Sequence, residues 1–212
     1  MFDIRGYYNT YPYSGFKGYK PMMTSCFCRK SYLRVLNAHN LPLNVQVNDI
    51  LMAEKLKMGQ FTKYVKLPPA SYHVMIHSEN DDLLFESDLD IDNNLVYTGV
   101  ISADLEDSKD ICILMVPEQK IHYMGPNISA LRLANLCEDE DEVILSASDG
   151  TLLFSGIKYG KVSCNVAVPS GRYTLHLKRP DGTKILDHNL DAAPYMHYTL
   201  FIVGKGKDGS VR

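Results

Sequence analysis

The chain has 212 residues, 45% of them hydrophobic and 22% charged. That is the composition of an ordinary globular protein, with room for two domains of roughly 90–100 residues, each with a core of its own. A net charge of −3 gives no electrostatic reason to expect a nucleic-acid partner, and no apolar run reaches the roughly 18 residues needed for membrane insertion as a helix.

Residues 1–30 form a compositional block of their own. They hold Tyr7, Tyr8, Tyr11, Tyr13 and Tyr19, with Gly6, Gly15, Gly18, Pro12 and Pro21 between and around them. Neither a helical nor a two-residue apolar period runs through the block, so an arm without stable structure of its own is expected. The opening Met1-Phe2-Asp3-Ile4-Arg5-Gly6 lacks the apolar centre of a secretory signal. Synthesis in a cytoplasm without an export signal is the expectation. A plain solvated terminus is one reading of the arm; a sticky assembly arm is the other. Phenols on a pliable backbone stack, hydrogen-bond or couple oxidatively. Cys26 and Cys28, flanking Phe27, can add intermolecular disulfides in an oxidising setting. These five tyrosines and two cysteines are the assembly and cross-linking candidates. A Cys-x-Cys pair with no second pair nearby is weak evidence for zinc. Cys112 and Cys164 lie in apolar strand patterns and are expected to act as small buried hydrophobes.

From residue 31 onward the chain repeats itself. Ser31-Tyr32-Leu33-Arg34-Val35-Leu36-Asn37 returns as Ser129-Ala130-Leu131-Arg132-Leu133-Ala134-Asn135, 98 positions later. Further on the offset is 101: Gly59 with Gly160, Pro68 with Pro169, Tyr72 with Tyr173, Tyr97-Thr98 with Tyr198-Thr199. A repeat of this period sets the domain plan and lets each candidate site be checked against its twin. The boundaries are 31–117 for the first repeat, 118–128 for a linker, 129–206 for the second repeat and 207–212 for a tail.

Within each repeat the pattern is short strands. Ile50–Lys57 has a brief helical character, whereas its twin, Thr151–Gly156, reads as strand. Strands are expected over Phe61–Leu67 and Val162–Val168, each ending in a Pro-containing turn. Ser71–Ser78 alternates, with Tyr72, Val74 and Ile76 on one face and His73, Met75 and His77 on the other. Asn80-Asp81-Asp82 and Pro180-Asp181-Gly182 mark matching hairpins. About seven strands per repeat, with turn signals between them, predict an all-β chain of two immunoglobulin-like antiparallel β-sandwiches.

Candidate chemistry is sparse. Asp88-x-Asp90-x-Asp92 begins like a calcium loop, but Asn93 and Gly99 stand where Gly and a bidentate Glu are needed. His73 and His77 are two pleats apart, roughly 13 Å, too far to share a metal. Glu138–Glu142 reads as a solvated acidic loop. The sequence shows no G-x-S-x-G, H-E-x-x-H or phosphate-binding loop. No enzyme activity, cofactor or metal is expected.

The run Tyr32-Leu33-Arg34-Val35-Leu36-Asn37-Ala38, then Pro42 and Asn44-Val45-Gln46-Val47-Asn48-Asp49, resembles the opening of the DUF4397 domain. Leu67-Pro68-Pro69-Ala70-Ser71-Tyr72 and Val168-Pro169-Ser170-Gly171-Arg172-Tyr173 are similar to its later signature. The strands at Tyr97-Thr98 and Tyr198-Thr199 are similar to the one that closes it. His39-Asn40-Leu41-Pro42 stands where the family has Ser-Pro-Asp. The resemblance implies bacterial β-sandwich modules, often in tandem on cell-envelope proteins. The Tyr/Gly/Pro leader is similar to those of spore-coat proteins. Together these imply a non-enzymatic structural protein of a bacterial surface layer or spore coat, docked through its arm. Its partners would be other coat or surface-layer proteins or further copies of itself. The alternative is a module that binds a glycan or other surface polymer through its loops.

Overall fold

The computed structural model describes residues 30–104, 110–118, 125–206 and 209–212. The described residues form sixteen strands and no helix. In the first unit these are β1 (Ser31–Asn37), β2 (Leu43–Val47), β3 (Ile50–Leu56), β4 (Val65–Leu67), β5 (Ala70–Ser78), β6 (Leu83–Ile91), β7 (Val96–Ala103) and β8 (Ile111–Glu118). In the second they are β9 (Ile128–Cys137), β10 (Glu142–Ala147), β11 (Leu152–Lys158), β12 (Lys161–Val162), β13 (Val166–Pro169), β14 (Gly171–Lys178), β15 (Lys184–Ala192) and β16 (His197–Gly204).

Each unit stacks two sheets. In the first, β4-β1-β7-β8 faces β3-β2-β5-β6; in the second, β9 with its neighbours β12, β13 and β16 faces β11-β10-β14-β15. Pairing is antiparallel except for β1 with β7 and β9 with β16, which run parallel. A parallel neighbour needs a long crossover, and here it is the rest of the unit that supplies it.

Side-chain alternation builds the two cores. Leu33, Val45, Val74, Ile76 and Ile101 fill the first, and Leu131, Leu145, Leu175, Leu177 and Leu200 the second. The helical character of Ile50–Lys57 is not realised. The hairpin at Asn48-Asp49, with Asn48 at φ 47°, pairs Gln46 with Leu51 and Val47 with Ile50. Cross-strand pairing overrides a local helix preference of this size.

The strand that follows β3 in the first unit and the one that follows β11 in the second are each shorter than the apolar pattern. In the first unit Phe61 makes an isolated bridge to Leu36 and the ladder resumes at Val65. In the second, β12 and β13 are separated by Ser163-Cys164-Asn165. A hydroxyl does the same work in both gaps: Thr62 Oγ1 accepts from Val35 N at 2.9 Å and Ser163 Oγ from Leu133 N at 2.9 Å. A side chain standing in for a carbonyl lets the strand depart from the ladder with no orphaned amide.

Other polar pins are shared. The Ser31 and Ser129 hydroxyls donate to the carbonyls of Asp92 and Ala193. Asn37 and Asn135, both fully buried, bridge the loops that follow β1 and β9. The Tyr72 and Tyr173 hydroxyls donate to Pro68 O at 2.7 Å and Pro169 O at 2.6 Å, the hydrogen-bonded role expected of such tyrosines. Asp81 (φ 66°) and Gly182 (φ 87°) hold equivalent left-handed turn positions.

A third apolar cluster joins the units. Leu36, Ala38, Val100 and Val116 of the first pack with Ala134, Leu136, Phe201 and Val203 of the second. The two units meet through the same face. Leu36 is the twin of Ala134, Ala38 of Leu136 and Val100 of Phe201, so where one copy is large the other is small. Phe61 meets Phe201 edge to face, with centroids 5.9 Å apart. Tyr159 donates to Ala103 O at 2.8 Å and Arg132 to Pro117 O at 2.9 Å, both from one unit to the other. Fully burying one such large apolar side chain contributes about 1.5–3 kcal/mol, so the junction holds the units together firmly.

Candidate functional site

At the junction's edge lies a polar network in which the units differ. Arg34, 8% exposed, is sandwiched between the rings of Phe61 and Tyr64, 4.7 Å from each centroid. Its Nε donates to Thr98 Oγ1 at 3.0 Å and its guanidinium pairs with Glu118 Oε1 at 3.0 Å. Thr98 and Tyr64 also donate to that carboxylate oxygen, at 2.7 and 2.6 Å. The twin pair, Arg132 with Thr199 at 2.7 Å, is kept, but Arg132 turns to the Pro117 carbonyl. The Arg34–Thr98–Glu118 contacts tie β1, β7 and β8 together, which marks a structural network. The signal for it was the duplicated Arg and Thr; what no local pattern gives is Glu118, 84 residues from Arg34.

On the solvent face of β3-β2-β5-β6 in the first unit lies a cleft lined by Asn44, Gln46, Leu51, Glu54, His77 and Asp81. Alternation sends Val45, Val47, Val74 and Ile76 into the core and leaves Asn44, Gln46 and His77 on this face. Asn44 fixes the geometry. Its Oδ1 accepts from Lys55 N at 2.8 Å, where Lys55 at φ 50° bulges the strand. Its Nδ2 donates to Ser78 O at 3.1 Å and to Asp81 Oδ1 at 3.3 Å. Gln46 donates to Asn48 O at 2.7 Å. Leu51 is 54% exposed and forms an apolar wall. The strand registers give the twins as Ile144, Ser146, Leu152, Ser155, Lys178 and Gly182. Only the leucine is kept. The polar set could have been found as outward strand positions whose twins differ in chemistry.

The neighbouring His73 has Nδ1 2.9 Å from Asp88 Oδ1 and Nε2 2.9 Å from Glu86 Oε1. The hydrogen bond to Asp88, followed by that to Glu86, raises its pKa above the ordinary imidazole value. Asp88 is 70% exposed and pairs with this histidine, as a solvated strand face would. Among the described residues no group of three or more His, Cys, Asp or Glu is placed to hold a metal.

Two expectations need correction. The acidic run is not simply solvated: Glu140 is 3% exposed and ion-paired with Arg179 through both carboxylate oxygens. Asp139 accepts from Gly206 N at 2.6 Å, and Glu138 lies 3.6 Å from Lys205. A buried carboxylate needs a charged partner, and only the fold brings Arg179 to it. Cys164 is exposed, because it sits in the break between β12 and β13; Cys112 is half-buried and Cys137 fully buried. The assembly candidates Tyr7, Tyr8, Tyr11, Tyr13, Tyr19, Cys26 and Cys28 lie outside the described residues.

Among curated proteins none matches the chain. Among solved structures it is similar to the Bacillus anthracis TIE protein, at 12% identity and a TM-score of 0.27, over 83% of this chain and 34% of that one. It is also similar to a leucine-rich repeat protein from Bacteroides thetaiotaomicron VPI-5482, at 10% identity and a TM-score of 0.23, over 84% of this chain and 26% of that one. The chain thus spans about a third and a quarter of their lengths, and superpositions this loose carry no argument about function. The family model described as a domain of unknown function, DUF4397, matches residues 31–146, more than half of the chain. The chain therefore belongs to the DUF4397 family.

Proposed function

We propose that this protein is a non-enzymatic structural component of a bacterial surface layer, most concretely a spore coat. In this reading two tandem DUF4397-type sandwiches form the body and residues 1–30 dock it to other coat proteins or further copies. The observation that supports it is the distribution of shared chemistry. The polar groups duplicated between the units (Ser31/Ser129, Asn37/Asn135, Thr62/Ser163, Tyr72/Tyr173) bind backbone of their own unit, as a load-carrying scaffold requires. The arm has no twin, and its tyrosines and cysteines are the residues suited to cross-linking. Deleting residues 1–30 should leave the unfolding transition unchanged and abolish incorporation of a tagged chain into the layer. Normal incorporation of the truncated chain overturns the reading.

The cleft supports a second role, recognition of a surface saccharide by the first unit. Carboxamides, carboxylates and an imidazole around an apolar wall are the groups that hydrogen-bond vicinal hydroxyls while packing a sugar's C–H face. Saturable binding that survives loss of the arm is the outcome this role requires.

A further inference from the structure

We infer that the cleft on the outer face of the first unit takes an amine-bearing sugar, a hexosamine unit with a free ammonium group. The inference rests on the saccharide reading above and sharpens it by charge. Six side chains line the cleft, and two of them, Glu54 and Asp81, are carboxylates with no lysine or arginine among the six. The nearest cation along β3, Lys55, is turned to Glu79 at 2.7 Å. A uronic acid or phosphate-bearing polymer would meet like charge there, whereas an ammonium finds charge-assisted acceptors.

The remaining groups fit a pyranose. Asn44 uses its amide on Ser78 O and Asp81, which fixes the Asp81 carboxylate at the cleft's rim. Gln46 donates to Asn48 O, and its Oε1 can still accept from a hydroxyl. Leu51, 54% exposed on the edge strand, is an apolar surface for the axial C–H face of the ring. The second unit offers a control within the same molecule. At the twin positions it has Lys178 for His77, Gly182 for Asp81 and Ser155 for Glu54, so its matching face lacks the carboxylates. One chain would then carry one site.

The test is a titration of the ¹⁵N-labelled full chain with four probes: the β-1,4 tetramer of glucosamine, its fully N-acetylated form, a neutral glucose tetramer and tetralysine. Saturable shifts at the Asn44 and Gln46 side-chain amides and at Leu51 are expected with the glucosamine tetramer. Binding of the N-acetylated and glucose tetramers should be weaker by about tenfold or more, as loss of a charge-assisted contact entails. The variant Glu54→Gln/Asp81→Asn should lose about tenfold in affinity for the glucosamine tetramer. Asn accepts the positive φ of position 81, so this variant keeps the turn. Equal binding of all three sugars overturns the ammonium inference and leaves the saccharide reading standing. Equal binding of tetralysine and the glucosamine tetramer shows that charge alone is read and overturns the sugar. Binding of none overturns both.

Discussion

The two units have the same pins and turns but differ where they pack on each other and in the lining of the cleft. Leu36, Ala38 and Val100 in one face Ala134, Leu136 and Phe201 in the other, large where the twin is small. A duplicated face that packs on itself starts self-complementary; divergence of this kind makes the two copies complementary to each other. The contrast extends to charge: the cleft belongs to the first unit, the buried Glu140–Arg179 pair to the second. What is shared is therefore scaffold, and what is unshared is junction or surface.

The largest expected effect is at the junction. Phe201→Ala should cost about 3–5 kcal/mol in denaturant unfolding, because it leaves a cavity where two units meet. A double-mutant cycle with Phe61→Ala should show coupling of about 0.5–1.5 kcal/mol for the edge-to-face pair. Zero coupling would mean that the rings do not hold the units together.

Next come the twin arginines. Arg34→Met leaves Glu118, whose side chain is 14% exposed, without its cation and should cost about 3–5 kcal/mol. Arg132→Met forfeits the hydrogen bonds to Thr199 Oγ1 and the Pro117 carbonyl and should cost about 1–3 kcal/mol. Equal losses would contradict the different roles given to the two.

The twin positions 39 and 137 should respond to pH in opposite directions. Burial first holds the His39 imidazole below its ordinary value of 6.5. Its contribution is present above that value and is lost as acidification forces protonation. Burial first, then Asp139, raises the Cys137 thiol from 9.0 to about 12. Its contribution is complete below pH 9.0 and is lost between there and about 12. Melting temperatures across pH, compared with His39→Gln and Cys137→Ala, check both. Each variant should flatten one limb and leave the other unchanged. In the same samples Cys164 should be alkylated in the native state and Cys137 only after unfolding.

The smallest effect is a residue borrowed from the twin. Tyr195, 48% exposed, has φ 62°, and its twin Asn94 has the same φ. Tyr195→Asn removes a bulky side chain from the left-handed region and should stabilise by about 0.5–1 kcal/mol. A lower melting temperature would show that the tyrosine ring contributes packing.

Turn chemistry and alternation were readable residue by residue. Tyr72-Val74-Ile76 and Asp81/Gly182 lie in the structure as their local patterns predict. The strands expected over Phe61–Leu67 and Val162–Val168 break where Thr62 and Ser163 capture a ladder amide, since a hydroxyl competing with a carbonyl leaves no periodic trace. The junction was half-visible. Leu33-Arg34-Val35-Leu36 and Leu131-Arg132-Leu133-Ala134 do not alternate, which means burial on both faces. The identity of the second layer depends on contacts between units, and no local period encodes those. The cleft and the Glu140–Arg179 pair are hidden for the same reason: their members lie far apart in the chain, on strands and turns that only the sheet register brings together.

The central claim is that the shared face makes two copies one body. Scanning calorimetry of the full chain at neutral pH tests it most directly. One transition with equal calorimetric and van't Hoff enthalpies is predicted, moving as a whole to lower temperature in Phe201→Ala. Two separate transitions, with Phe201→Ala shifting only the one that belongs to the second unit, would contradict it.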